Sequence, residues 1–345
     1  MQHPTPAEAT HPADHARSPR RRRLTGAIVG VVAAALFVTA GLSAAAGGGV
    51  ANPRTKLTIV APAAPGGGWD TFGREAQQVM REEGIAGAVQ VMNIPGAAGT
   101  IGLGAVAEMG DRHDIMLVTG GVMVGGVIVN RSPVSLEDVR PIVRLADDYN
   151  VLVVPGDSPF QTLDDFMRAF LANPEGTAIA GGSLGGIDHL LAGMLAQQGG
   201  IDPQRVNYLA YPGGGEVVTS LLSHTTQAGL SGYNDFRDQI ESGNLRALAL
   251  SSAEPLADVD VPTFREQGVE VAMSNWRGLV APPGIDDEVH AELVAMASEM
   301  RETEAWKDVL ARNSWQDSFL AGEEFAAYLS AETERTTAIM KELGL

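Results

Sequence analysis

The amino-acid sequence predicts an α/β protein of two lobes, each a mostly parallel sheet flanked by helices, joined by a hinge of two connections. Three observations predict this fold. A β-rich run, a glycine-containing turn and an amphipathic stretch follow one another repeatedly after Asn52, which is typical of parallel strands with crossover helices. Glycine-rich turns recur between a strand and a helix in both halves. The chain ends in a helical segment that needs another surface to pack on.

The N-terminal segment is predicted to direct export. Residues 1–23 resemble a disordered basic leader that ends in the run Arg20 to Arg23, and residues 24–47 are apolar or small without a charge. This order is typical of a signal peptide, and Ala44 to Ala46 offer a cleavage site. A stretch of about 20 apolar residues can also span a bilayer as an uncleaved anchor. Cleavage or retention, and Sec or Tat export, stay open, but both place the body outside the cytoplasm.

Composition excludes several classes of function. The chain has 42 acidic and 24 basic residues, and five of the arginines lie in the N-terminal segment, so the exported body is strongly acidic and would repel nucleic acid. Cysteine is absent, which excludes disulfides, thiolate metal sites and cysteine nucleophiles. With 45% hydrophobic residues, the body can bury ordinary globular cores. We expect no metal and no cofactor.

The first repeating unit shows the local signals most clearly. Residues 56–62 predict a buried strand, residues 63–68 a turn, and residues 71–83 a helix capped by Asp70 and ended by Gly84. The next unit is predicted in the same way, with strands at 89–94 and 114–118 and a helix at 101–109.

The second half of the sequence repeats the pattern. Predicted strands lie at 151–154, 177–180, 206–211, 228–230 and 245–250, and predicted helices at 163–172, 188–198 and 216–223. The start at Thr162 resembles a capping box with Asp165 in place of glutamate. A strand at 271–280 follows, and the rest is predicted to be helical, at 287–300, 304–311 and 323–343. We therefore expect a discontinuous lobe 1 of residues 55–148 and 276–345, with lobe 2 at 149–275.

Two glycine turns in lobe 1 indicate an anion site. Residues 64–70 and 94–100 each join a strand end to a helix start, where backbone amides and the positive end of the helix dipole face a crevice. Either turn alone could simply be a tight connection, but they occupy equivalent places in successive units. Neither contains the lysine of a phosphate-binding loop, so a nucleoside triphosphate is disfavoured. A carboxylate fits better.

Lobe 2 repeats this arrangement. Glycine turns at 181–186 and 211–216 also follow predicted strands. Two lobes that each present such turns would form a cleft with two polar sides, which is the layout of a binding protein that closes about a hinge.

The ordered set of motifs resembles the extracytoplasmic solute receptors of tripartite tricarboxylate transporters, the TctC or Bug family. The resemblance covers about residues 57–340 and rests on APGGGWD ending at Asp70, NIPGAAGTIG at 93–102, VTGG at 118–121, GGSLGGIDHL at 181–190, YLAYPGGGEVV at 208–218, LRALAL at 245–250, VPTFREQG at 261–268 and NWRGLVAPPG at 275–284. It implies a type II periplasmic-binding-protein fold and a monomer without catalytic activity. It also implies capture of a small tri- or dicarboxylate such as citrate and its delivery to a two-subunit membrane permease.

The resemblance also implies which residues contact the ligand. The turns of lobe 1 would hold its proximal carboxylate through Gly66, Gly67, Gly68, Trp69, Asp70, Gly96, Ala97, Ala98, Gly99 and Thr100. The rest of the ligand would meet Thr119, Gly120, Gly121, Ser183, Gly185, His189, Gly213, Gly214, Gly215, Asn234 and Asp235. Trp69 replaces a small hydroxyl residue of many members, and Ala97 with Ala98 replaces glycine, so the size and class of the ligand stay open.

Two rival functions remain at this stage. The turn at 181–185 also fits G-x-S-x-G, and Asp258 and His290 follow Ser183 in the chain order of an α/β-hydrolase. An esterase is therefore the alternative enzyme, although no oxyanion loop lies upstream of Ser183. The other alternative is a sensor domain that signals ligand occupancy to a membrane partner. Arg277 is a candidate counter-charge for a carboxylate, or equally one half of a hinge salt bridge.

Overall fold

The computed structural model describes residues 52–110, 112–257 and 259–344. The leader predicted at 1–23 and the apolar segment predicted at 24–47 lie outside these residues. Among the helices of the described part, none is both long and apolar enough to cross a bilayer.

Strands and helices alternate along the described chain, as the sequence predicts for an α/β fold. The strands are β1 (Lys56–Ala61), β2 (Ala88–Asn93), β3 (Ile115–Gly120), β4 (Arg140–Pro155), β5 (Ile179–Gly181), β6 (Tyr208–Ala210), β7 (Ala228–Gly232), β8 (Leu245–Leu250), β9 (Ser274–Ala281) and β10 (Gln316–Ala321). The helices are α1 (Gly68–Glu82), α2 (Thr100–Ala107), α3 (Gly121–Val129), α4 (Leu163–Ala172), α5 (Ile187–Gln198), α6 (Gly214–Leu222), α7 (Tyr233–Glu241), α8 (Asp287–Glu302), α9 (Glu304–Arg312) and α10 (Gly322–Leu343).

The first sheet has the strand order β2-β1-β3-β9-β4. Strands β2, β1 and β3 are parallel, and β9 is antiparallel to both β3 and β4. Parallel strands need both faces covered, and β1 has a fully buried run from Leu57 to Ala61. Helices α1, α8 and α9 cover one face, where Phe72 packs edge-on against Trp306 at 5.7 Å. The carboxyl ends of β1, β2 and β3 therefore lie together at one edge.

Strand β4 links the two sheets. Its first part pairs with β9 from Arg140 to Tyr149, and its last part pairs with β7 and β8 from Asn150 to Pro155. The chain returns to the first sheet at Ser274, where β9 begins. These are the two crossings between the sheets. The boundaries of the lobes at 149 and 275 stay a prediction.

The second sheet repeats the parallel core of the first. Strand β5 lies between β6 and β7 and is parallel to both, while β8 is antiparallel to β4. Helix α4 begins with the predicted capping box, in which the Thr162 side chain accepts from the backbone of Asp165 and the Asp165 carboxylate accepts from the Thr162 amide. Its apolar face packs on the sheet through Phe166 and Phe170.

The prediction that the chain is entirely helical after Gly284 is wrong. Residues Gln316–Ala321 form strand β10, which pairs antiparallel with β4. Helix α10 then packs on both halves of the molecule: Phe325 contacts the core of the first sheet, and Met340 contacts that of the second. The tail therefore contributes a strand to the first sheet and covers the region where the two sheets meet.

Candidate ligand-binding cleft

The side chain of Asp70 stabilises the first glycine turn. This buried carboxylate accepts hydrogen bonds from the Gly66 amide, the Asn93 side chain and Arg74, each at 2.8 Å. Burial alone would raise the pKa of Asp70, but these hydrogen bonds hold that pKa below its ordinary value. The prediction that Asp70 is the helix N-cap is wrong, because α1 begins earlier, at Gly68, and Gly67 is its N-cap. Asp70 shapes the turn from within the first turn of the helix.

The start of helix α1 presents backbone amides. Gly67 has no side chain to cap them, so the first N–H groups of the helix keep their capacity to bind an anion, reinforced by the helix dipole. The carbonyl of Gly68 accepts from the Arg277 guanidinium, which also binds Asp148. Arg277 therefore forms a buried ion pair beneath the turn, and the expectation that this pair lies at a hinge stays a prediction.

The second glycine turn has a left-handed backbone. Four successive residues have positive φ angles: Gly96 at 128°, Ala97 at 49°, Ala98 at 52° and Gly99 at 91°. The Thr100 hydroxyl donates to the Ala97 carbonyl at 2.9 Å and fixes the end of the turn. Glycine adopts this region freely, whereas alanine does so at a cost of about 1–2 kcal/mol. The two alanines are therefore strained.

Ala97→Gly is expected to stabilise the protein by roughly 0.5–1 kcal/mol. Ala97 is exposed, so little packing is lost, and the relief of strain exceeds the roughly 0.4–1 kcal/mol that glycine's freedom costs in the unfolded chain. Urea unfolding measures the difference. Ala327→Gly, at an exposed position inside α10, is the control and should destabilise by about 1 kcal/mol. Equal losses in both variants would show that the turn at Ala97 is not strained.

Trp69 joins the ends of the three parallel strands. A β-carbon added at Gly99, after β2, would lie 2.6 Å from its indole ring. One added at Gly120, the last residue of β3, would lie 3.2 Å from its Nε1 atom. The half-buried indole therefore fills the space between the turns.

The end of β3 is enclosed. Thr119 is fully buried, and its hydroxyl donates to the Met123 sulfur at 3.4 Å. A β-carbon added at Gly121 would lie 3.0 Å from Ile187 at the start of α5. Gly121 thus allows the start of helix α3 to lie close to the start of helix α5.

The first glycine turn of the second half is built around His189 and Asp188. The Gly185 amide donates to Nδ1 of His189 at 3.0 Å, and the ring stacks on Tyr208 with centroids 4.5 Å apart. Burial lowers the pKa of His189, so the ring is neutral at pH 7. The Gly182 amide donates to Asp188 at 2.6 Å. Helix α3 meets this turn directly, since a β-carbon added at Gly125 would lie 1.9 Å from the Gly185 carbonyl oxygen.

The last predicted turn contacts helix α7. A β-carbon added at Gly214 would lie 2.6 Å from Asp235, whose carboxylate accepts from the Ser231 hydroxyl at 2.6 Å. The neighbouring Gly213 and Gly215 have open space around them, apart from Glu216 at 3.5 Å from the added β-carbon at Gly213. Asn234 donates to Asn313 at 3.5 Å. The predicted residues of the second half therefore lie beside one another at the ends of β5, β6 and β7.

Three polar residues in this region were not predicted from the sequence. Asp148 and Asn150 lie on β4, and Asp188 lies in the first turn of α5, where the Asn150 side chain hydrogen-bonds its carboxylate. A β-carbon added at Gly232 would lie 2.9 Å from Asp148. The sequence signals were the motif at 181–190, which contains Asp188, and the Asp147-Asp148 pair two residues before the strand predicted at 151–154.

The geometry gives the esterase alternative no support. His290 hydrogen-bonds the Pro141 carbonyl at 2.8 Å, and no hydrogen bond joins Ser183 to a histidine within the described ranges. Asp258 lies outside the described residues. In the same part of the chain, no group of three histidine, aspartate or glutamate side chains is placed to hold a metal ion.

Comparison with known proteins supports a solute receptor. Residues 72–345 match the family model described as tripartite tricarboxylate transporter family receptor, TctC. Protein BugT of Bordetella pertussis is 27% identical over 324 residues, which cover 92% of this chain and 97% of that protein.

Solved structures show the same fold. The periplasmic binding protein BugD superposes with a TM-score of 0.76 at 22% identity, covering 85% of this chain and 98% of BugD. MatC from Rhodopseudomonas palustris, solved with bound malate, superposes with a TM-score of 0.73 at 21% identity, covering 83% of this chain and 99% of MatC. The predicted two-lobed periplasmic-binding-protein fold is thereby confirmed. With four glycine turns at the strand ends and a family match over most of its length, the chain belongs to the tripartite tricarboxylate transporter receptor family, TctC.

Proposed function

We propose that this protein captures a small organic carboxylate outside the cytoplasmic membrane and delivers it to a two-subunit permease. The observation that carries the proposal is the uncapped start of helix α1 beside the left-handed turn that ends at Thr100. The first amides of α1 lie beside this turn at neighbouring strand ends, and such groups bind carboxylates without a basic side chain. The malate bound to MatC supports the same ligand class.

The size of the site favours a short ligand. The Trp69 indole lies against Gly99 and Gly120, so it fills the space between the two glycine turns of the first sheet. Helix α3 meets the Gly185 turn without a gap, because glycine at position 125 allows backbone contact. A ligand held between these surfaces would be enclosed on three sides.

The transport role rests on the family. Members are periplasmic binding proteins, and a membrane partner is implied by the transporter that gives the family its name. The basic leader and the apolar segment predicted before residue 48 would place the protein outside the membrane under either processing route. We therefore infer that a permease is the partner of the closed, loaded form.

A thermal-shift screen over organic acids tests the proposed function. A ligand present at 100 times its Kd should add about 2.7 kcal/mol to the free energy of unfolding. The screen should include mono-, di- and tricarboxylates, hydroxy acids and amino acids at one pH and salt concentration. If no carboxylate raises the unfolding temperature, the proposed function is wrong.

Gly67→Val is expected to abolish the thermal shift given by the best ligand. The backbone angles at Gly67, φ −73° and ψ 162°, suit any residue. An added β-carbon would lie 3.2 Å from the Ala64 carbonyl oxygen and 3.3 Å from the Ala63 β-carbon, so the unfolding temperature without ligand is measured to check that the fold persists. The side chain would block the approach of a carboxylate to the first amides of α1. Gly104→Val is the control, because a β-carbon there meets nothing within 4 Å. Unchanged affinity in Gly67→Val would remove the site from this turn.

A further inference from the structure

Three carboxylates lie near one another at the ends of the strands of the second sheet, close enough for their charges to interact. Asp148 lies beside Gly232, Asp188 beside Gly182, and Asp235 beside Gly214. Asp148, Asp188 and Asp235 are called the acidic lip. They come from β4, α5 and α7 and meet only because β5, β6 and β7 end at the same edge of the second sheet.

The charge of the acidic lip is only partly neutralised. Asp148 forms a buried ion pair with Arg277. Asp188 accepts from the Gly182 amide and from Asn150, and Asp235 from the Ser231 hydroxyl, all of which are neutral donors. Within the described ranges, neither Asp188 nor Asp235 has a lysine or arginine partner. Because Asp235 is exposed and Asp188 is half-buried, both can be reached by a ligand.

A second observation concerns amide oxygens. Asn150 is fully buried and its amide nitrogen binds Asp188, yet its Oδ1 atom has no hydrogen-bond donor. The Oδ1 atoms of Asn275, directly opposite Asp148 across β4 and β9, and of Asn234, next to Asp235, also have none. Buried acceptors without donors are costly. Asp188 and Asp148 thus each have an unsatisfied acceptor beside them, whereas Asn234 adjoins Asp235 in the sequence and its amide nitrogen binds Asn313.

Both observations favour a ligand group that donates hydrogen bonds, and the negative charge of the lip favours a donor of positive charge. A second carboxylate of the ligand would face two uncompensated aspartates and would add acceptors where acceptors are already in excess. A divalent cation is disfavoured, because no three carboxylate or imidazole groups of the described residues are arranged to ligate one. An ammonium group offers three N–H donors and one positive charge.

The pKa shifts of the acidic lip also favour a positively charged ligand group. Burial, together with the charges of the neighbouring Asp235 and Asp148, raises the pKa of Asp188 to about 7. Burial also raises the pKa of Asp148, against the attraction of Arg277. A cation placed between these groups would favour their charged forms.

We propose that the carboxylate ligand also carries a cationic nitrogen, as an amino acid does, and that this nitrogen binds the acidic lip while the carboxylate binds the amides of α1. The inference rests on the proposed function and narrows its ligand class. It makes citrate a poor ligand, since its second and third carboxylates would meet the lip. The site then has two poles: amide donors near Gly68 and anionic acceptors near Asp188 and Asp235.

Matched ligand pairs test the inference. Each pair has the same carbon skeleton with and without an amine: aspartate and succinate, glutamate and glutarate, leucine and 4-methylpentanoate, with citrate as a further probe. Thermal shifts at pH 7.5 rank the probes, and calorimetry gives the Kd of each member of the best pair. We expect the amine to improve affinity at least tenfold.

Charge-neutral variants then locate the nitrogen. Asp235→Asn and Asp188→Asn should reduce the preference for the amine at least tenfold while the deaminated partner binds as well as before or better. Asp238→Asn, an exposed position one turn further along α7, is the matched control and should leave the preference unchanged. A purely structural role of either aspartate would weaken both members of the pair equally and would overturn the assignment.

The outcomes separate the two proposals. If succinate, glutarate or citrate stabilises the protein as much as the amino acids do, the inference is wrong and the proposed function stands. If no carboxylate with or without nitrogen has an effect, both are wrong. If an amine-bearing acid binds but Asp188→Asn and Asp235→Asn keep its preference, the nitrogen does not lie at the acidic lip.

Discussion

Arg277→Met is expected to destabilise the folded protein by about 3–5 kcal/mol. Arg277 and Asp148 are only 6% and 5% exposed, and the guanidinium also binds the Gly68 carbonyl and lies over the Trp315 ring at 4.9 Å. Methionine keeps much of the volume but leaves the Asp148 carboxylate buried without a counter-charge. The loss should exceed that of any exposed ion pair in the protein.

Urea unfolding of four variants measures this effect. Arg168→Met, at an arginine whose side chain is 68% exposed, is the control and should cost less than about 1 kcal/mol. The double variant Asp148→Asn with Arg277→Met should recover most of the stability, because it leaves no unpaired charge. Asp148→Asn alone completes the double-mutant cycle. A loss below 1 kcal/mol in Arg277→Met would show that water reaches the pair.

The pH dependence gives an independent check. Burial raises the pKa of Asp148, and without Arg277 this carboxyl group should take up a proton at a higher pH than in the intact protein. Protonation removes the buried charge, so the destabilisation caused by Arg277→Met should be smaller at pH 5 than at pH 8. A loss that is equal at both values would mean that lost packing on Trp315, rather than charge, causes it.

Much of the fold follows from signals that lie within a few residues. The capping box at Thr162 is confirmed, and α4 covers the predicted residues 163–172. Gly84 has the left-handed φ of 68° expected just after a helix end. Glycine turns between strands and helices can be read in the same way, because the conformation they need excludes most other residues.

Strand β10 and the first half of β4 depend on distant partners. The strand Gln316–Ala321 has no buried face, with a pattern from exposed to half-buried, so it lacks the alternation by which strands are predicted. It forms because β4 offers a free edge, more than 150 residues earlier in the chain. Strand propensity depends on such neighbours more than on the segment itself. A sequence search for periodicity therefore misses it.

The amides near Gly68 and the acidic lip also differ in whether their neighbours lie close in the sequence. The amides near Gly68 belong to one local turn, which its sequence predicts. The acidic lip joins residues of three elements, and nothing near Asp188 in the sequence indicates that Asp235 lies beside it. Only the strand order β4-β7-β5-β6 brings them together. The acidic lip, whose residues are brought together by the strand order, was therefore the part of the site that the sequence could not predict.

Asp188→Asn is expected to change how stability depends on pH. The carboxyl group of Asp188 has a pKa of about 7 in the folded protein, raised from an ordinary 3.8 chiefly by burial. Between these values the folded state keeps a proton that the unfolded state has released, so stability falls as pH rises from about 4 to about 7 and then levels off. Asparagine cannot ionise and should remove this fall.

The gain from Asp188→Asn should therefore be greater at pH 8 than at pH 5, by about 1–2 kcal/mol. The ceiling for one proton is about 1.4 kcal/mol per pH unit, and water reaching this half-buried side chain lowers the effect. The oxygen of the new amide still accepts from Gly182, and its NH2 group donates to the Oδ1 atom of Asn150 once the Asn150 amide, whose nitrogen binds Asp188 in the wild type, has turned over. Urea unfolding from pH 5 to pH 8 measures the slope, with Asp238→Asn as the control.

The same titration links stability to the ligand. A cationic nitrogen beside Asp188 would favour the charged carboxylate and lower its pKa, so the wild-type protein saturated with the best amino acid should show a shallower fall in stability between pH 5 and pH 7. Its deaminated partner should leave the fall unchanged or make it steeper, because a negative ligand favours the proton on Asp188. If stability falls with pH equally steeply with both ligands, the titration of Asp188 does not depend on the ligand. The nitrogen then does not bind next to this aspartate.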